Sequence, residues 1–159
     1  MKVLKMFSII SICMVSFVLT SLAQGEVKTV KPAFDAALAK KVGADKYGMK
    51  TYVLAILKTG PKVFTEAESK ELFKGHMANM NRLAAEGKLT VAGPFAKNDK
   101  GFRGLFILNV TTVEDAKKLT DTDPVVKSGM MVVEHVVWYG SAALMETNSI
   151  HEKITEVEM

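Results

Sequence analysis

Between residues 51 and 139 the apolar pattern changes period in the order strand, helix, strand, strand, helix, strand, and this order constrains the fold more than any other feature of the chain. TYVLAILK, rich in β-branched and aromatic residues and stopped by Thr59-Gly60-Pro61, reads as a strand because such side chains pack well on a pleated surface. FTEAESKELFKGHMANMNRLAAEG then takes up helical spacing. Thr65 and Glu68 form a capping-box pattern at its start, and Gly87 is its C-terminal stop. LTVAGPF and FRGLFILNV predict two further strands joined as a hairpin through the turn segment KNDKG. Thr112 opens a short helix over VEDAKKLT, Asp123-Pro124 opens a further turn that stops at Gly129, and MMVVEHVVWY is the last strand. The resulting β-α-β-β-α-β order is the split βαβ, or ferredoxin-like, arrangement of the α+β class: an antiparallel four-stranded sheet with both helices on one face. Because YVLAIL and LFILNV are apolar on both faces, the uncovered face requires a cover. The most economical one is the same surface of a twin subunit, so a homodimer is expected.

The chain's 159 residues suffice for one such domain with extensions. Residues 1–23, MKVLKMFSIISICMVSFVLTSLA, begin with Lys2 and Lys5, continue through an apolar run and close on Ser21-Leu22-Ala23. This is the order of a secretory signal peptide, and it predicts a secreted or periplasmic protein with no membrane attachment after cleavage. The alternative is an uncleaved membrane anchor, but the run is short for a span and carries Ser and Thr. Residues 24–50 form an N-terminal extension with a short helix in PAFDAALAKKVG, Pro32 standing at a first helical position and Gly43 just past the end. Residues 51–144 form the domain. Residues 145–159 form a mixed, charged tail that offers a further helix, and its His151 reads as solvated.

Loss of the leader removes two positive charges, Lys2 and Lys5, so the formal charge falls from +4 to +2. It also removes Cys13, the one cysteine, and with it any thiolate nucleophile, disulfide or cysteine metal site. Near-neutral charge without Lys and Arg clusters argues against a nucleic-acid partner. KGFRGLFIL begins like an RNA-recognition motif, but Arg103 stands where a small residue is needed and YVLAIL lacks the stacking aromatic. No cofactor motif is present. His76, Asp123 and Glu134 would make a metal set only if the fold joined all three, and no H-x-x-x-H spacing supports one, so no metal is expected. Asn109-Val110-Thr111 fits a glycosylation sequon at a strand end.

What remains as reactive chemistry is His76. Leu72, Phe73, Met80 and Leu83 share one helical stripe with it, which turns the imidazole towards the sheet or its margin. By spacing alone a histidine there is more often a satisfied core residue than a catalyst. Glu134 and His135, adjacent on the last strand, point to opposite faces, and the parity of Val132, Val136 and Trp138 favours Glu134 for the barrel or pocket interior. Trp138 and Tyr139 read as packing and anchoring the strand end.

HMANMNRLAAEGKLTVAGPF followed by RGLFILNVTTVEDAKKLTDTDPVVKSGMMVVEHVVWYGSAAL resembles the YCII-related family. The residues that carry the likeness are His76, Leu83, Gly87, Leu89, Gly93 and Pro94, and later the pair Asp123-Pro124. The resemblance implies a dimeric α+β barrel, and a dyad of His76 with Asp123 in a pocket beside the sheet. A carboxylate that accepts from one imidazole nitrogen fixes the tautomer and leaves the other nitrogen to move a proton. That suits an elimination, isomerisation or hydrolysis type of step, lyase- or hydrolase-like, on a small molecule. On its own terms Asp123 is also what a helix N-cap before proline looks like, and Asp121 is an alternative partner from the same loop. The alternative function is a non-catalytic small-ligand-binding or structural homodimer domain.

Overall fold

The computed structural model describes residues 33–157 of the chain; the leader expected over residues 1–23 lies outside the described residues, as does Pro32. Residues from Phe34 onwards form one compact unit. Its lead helix, α1 (Ala36–Val42), starts later than Pro32 would have set it. Asp35 is the N-cap, its carboxylate accepting the Leu38 amide at 2.9 Å, so a side-chain acceptor and not a proline ring defines the first turn. Gly43 closes the helix in the left-handed conformation at φ 70°, as a C-terminal glycine does.

The domain follows with β1 (Met49–Thr59), α2 (Glu66–Ala85), β2 (Leu89–Pro94), β3 (Phe102–Leu108), α3 (Val113–Thr120), the single-turn α4 (Pro124–Lys127) and β4 (Met131–Ser141). The strands form one antiparallel sheet in the order β2-β3-β1-β4, the ferredoxin-like arrangement read from the sequence. The Thr65 hydroxyl accepts the Glu68 amide while the Glu68 carboxylate accepts the Thr65 amide, so the capping box that predicted α2 is present.

Alternation along β1 sorts the two faces. Val53, Ala55 and Leu57 are buried against Leu83 of α2, Ala116 of α3 and Val125 of α4, together with Phe106 and Leu108 from β3. Each of the valine, leucine and phenylalanine side chains contributes about 1.5–3 kcal/mol by leaving water. On the other face Val132, Val136 and Trp138 of β4 stay exposed beside half-buried Leu54 and Ile56, and Lys58 forms an ion pair with Glu134. The tail folds back as a 3-10 helix (Ala142–Glu146) and α5 (Thr147–Ile154). Glu146 pairs with Lys41 of α1 at 2.8 Å, and the Asn148 amide donates to the Leu89 carbonyl of β2 at 2.8 Å. No helix among the described residues is long and apolar enough to cross a membrane.

Candidate active site

His76 lies in the middle of α2, on the face turned to the sheet, and its neighbour Gly75 explains what it meets there. A β-carbon at Gly75 would stand 2.9 Å from Cγ of Pro124, closer than atoms of a rigid ring tolerate, so the missing side chain lets α4 press against α2. The residues next to this contact are then brought together. His76 Nδ1–H donates to Asp123 Oδ2 at 2.7 Å, across 47 positions of sequence. The other carboxylate oxygen, Oδ1, accepts the Val125 amide at 3.1 Å and caps α4. Asp123 therefore serves as both N-cap and partner of the histidine, one oxygen for each, and its side chain is wholly buried while that of His76 is 12% exposed. Asp121 is exposed and closes α3 through its backbone amide, so it is not the partner.

The imidazole is fixed from both sides. It stacks on Phe106 at 5.8 Å between ring centres and meets the edge of Phe73 at 6.1 Å. Nε2 has no hydrogen-bond partner among the described residues, and His76 lines a cavity of about 860 Å³ between α2, the end of β2, the following loop and β3. Around it the walls are apolar: Phe73, Met77, Met80, Phe95, Phe102 and Phe106. The loop that closes one side is braced by Asn98, whose amide donates to the Ala96 and Phe102 carbonyls and whose oxygen accepts from the Lys100 and Phe102 amides, all at 2.9–3.1 Å. Pro94 and Gly93 also border the cavity, at the end of β2.

The remaining polar residues separate from this site. Glu134 sits on the open face with Lys58, and His135 turns to the helix layer, where its Nε2 lies 3.0 Å from the Thr120 hydroxyl. Burial there pushes the His135 imidazole below its ordinary value, against the smaller upward pull of Asp121. His76, Asp123 and Glu134 do not converge, and among the described residues no group of three or more His, Cys, Asp or Glu could hold a metal ion. At the far end of the sheet Trp138 lies over Gly140 and beside Tyr52. Tyr139 donates to Asp45, which holds that carboxyl below the usual carboxylate range and raises the phenol.

Sequence reasoning missed the parts played by Gly75, which seats Pro124 beside the dyad, and by Arg103, which lines the cavity. Gly75 was detectable as a costly residue in a helix interior beside the candidate histidine. For Arg103 no local signal exists.

Comparison with known proteins gives a family and distantly similar solved structures. Residues 51–138 match the family model described as the YCII-related domain. No curated protein matches the chain. Among solved structures, the 5-chloro-2-hydroxyhydroquinone dehydrochlorinase TftG from Burkholderia phenoliruptrix AC1100, in complex with 2,5-dihydroxybenzoquinone, is 19% identical. The match covers 54% of this chain and 92% of that one, with a TM-score of 0.40.

Proposed function

The chain belongs to the YCII-related domain family, and from that premise we propose that it is a small-molecule enzyme in which His76 and Asp123 form an acid–base dyad. The observation that carries this reading is the 2.7 Å hydrogen bond from His76 Nδ1 to a buried carboxylate beside an apolar cavity of about 860 Å³. An ionised carboxylate only accepts, so Asp123 keeps the proton on Nδ1 and leaves the Nε2 lone pair for substrate. Nε2 then takes a proton from a substrate carbon or from a water, and the imidazolium returns it to a leaving group or to a second carbon. The dyad acts by proton transfer, in an elimination, isomerisation or hydrolysis. In the same reading the protein is exported after removal of residues 1–23, and two copies pair through the open faces of their sheets.

The test separates chemistry from capping. Candidate substrates are screened for turnover with the wild-type chain, then with His76→Gln, Asp123→Asn and Asp123→Ala. Asparagine is as good an N-cap as aspartate, so Asp123→Asn is expected to keep α4 and the fold while lowering turnover by about 100-fold or more, because the neutral amide no longer holds His76 in the tautomer that lets Nε2 act as base. Asp123→Ala additionally loses about 0.5–2 kcal/mol of stability. Turnover that survives in His76→Gln and Asp123→Asn removes the dyad from the mechanism, whereas compounds that bind the wild-type chain without being turned over leave a ligand-binding domain.

A further inference from the structure

We propose that Arg103 is the anchor for an anionic group on the ligand, and that the ligand class is a small aromatic or similarly flat carboxylate. The inference deepens the reading of the same cavity given above by naming what it takes in. Its first support is the register of the sheet. Leu57 of β1 pairs with Gly104 of β3, but the next residue, Lys58, pairs with Phe102, so Arg103 is an extra residue with no partner on β1. A bulge of this kind breaks the two-residue alternation and re-aims a side chain. Here Arg103 comes to line the same cavity as Gly104 and Phe106, the helix-side residues of β3. Its carbonyl meanwhile accepts the Phe95 amide at 2.9 Å, which fixes the bulge against the cavity loop.

The second support is charge. Among the described residues, the ionisable side chains that line the cavity are His76, Lys97 and Arg103, and no carboxylate lines it. A smaller cavity of about 280 Å³ shares Thr59, Phe73, Arg103 and Met131 with the first, and among the described residues its one other ionisable residue is Lys62. Arg103 thus stands where the two cavities meet, with a lysine on either side. Its guanidinium makes no ion pair or side-chain hydrogen bond among the described residues, whereas the chain's other arginine, Arg82, is occupied by Glu86, Asn79 and Thr122. An arginine kept out of ion pairs at the rim of an apolar site presents a planar fork that matches a carboxylate. Behind it, Phe73, Phe95, Phe102 and Phe106 offer ring faces and edges that suit a flat apolar body.

The test uses the full chain and two compounds of equal shape, 2-naphthoate and its uncharged amide, 2-naphthamide, with dissociation constants measured by calorimetry or NMR titration. Wild-type protein is expected to bind the acid about tenfold or more tighter than the amide, the worth of a charge-assisted hydrogen-bonded pair. In Arg103→Gln the acid falls to the level of the amide, while the amide keeps its affinity and so reports an intact cavity. A wild-type protein that binds acid and amide equally overturns the proposal, as does a preference that survives Arg103→Gln or a failure of 2-naphthoate to bind. His76→Gln is expected to keep the preference for the acid. A failed dyad, seen as unchanged turnover in that variant, is thereby distinguishable from a failed anion anchor.

Discussion

His135 shows how strongly a residue's role depends on which way a strand turns it. The imidazole faces Thr120 on the helix side, and burial holds it below the ordinary histidine value of 6.5, with Asp121 opposing and Lys117 adding smaller effects. The folded state therefore binds the proton less readily than the unfolded chain. The stability contributed by neutral His135 is complete above about pH 6.5 and declines as the pH falls from there through the lower folded value. The slope cannot exceed about 1.4 kcal/mol per pH unit, and it is smaller than that because the half-buried ring is partly screened by solvent. Urea unfolding at pH 7.5, 6.5 and 5.5 (about one unit either side of the reference value) is expected to show a flatter profile for His135→Gln than for wild type. Identical profiles would mean that the ring is as well solvated folded as unfolded. Parity on the last strand already separated Glu134 from His135, but which of them met the helices could not be known until β4 had a register with β1.

At the scale of elements, the contact between α2 and α4 matters most, because it sets the distance between His76 and Asp123. Replacing Gly75 by alanine should favour an isolated helix by about 1 kcal/mol, since glycine is the poorer helix former. In the folded protein the added methyl has no room beside the Pro124 ring, so α4 must move away. We expect Gly75→Ala to destabilise the domain by about 1–3 kcal/mol, as overpacking does, and to reduce turnover well beyond that loss by stretching the His76–Asp123 hydrogen bond. Thermal unfolding and steady-state rates measure the two effects separately. A Gly75→Ala protein that gains stability and keeps full activity would show that the helix contact is not what positions the dyad. The elements themselves were well marked in sequence. Thr65 with Glu68, Thr112 and Asp123 each cap the helix that follows, and each capping bond spans three residues or fewer. The start of α1 was misplaced because Pro32 was expected at the first helical position, whereas Asp35, inside the apolar stretch, supplies the cap and the helix begins at Ala36.

For the whole molecule, the open face of the sheet is the outstanding surface. Val132, Val136 and Trp138 are exposed there beside Leu54 and Ile56, a largely apolar face, interrupted by the Lys58–Glu134 ion pair, of the kind that two-fold pairing covers. If two copies meet through it, Val136→Lys places like charges near each other across the interface, at a cost of several kcal/mol. Sedimentation at micromolar concentration is expected to give a dimer for wild type and a monomer for Val136→Lys. Because Val136 is 41% exposed in the single chain, the fold of the variant should persist. A monomeric wild type would remove the homodimer from this account. By itself the sequence determined the element order, the caps, the apolar faces and the inward stripe of His76, because those features arise between residues a few positions apart. The tertiary structure decided the rest. His76 meets Asp123 across 47 positions because Gly75 admits Pro124, and Arg103 reaches the cavity because β1 and β3 slip by one residue; both depend on how distant segments pack, which no local period records.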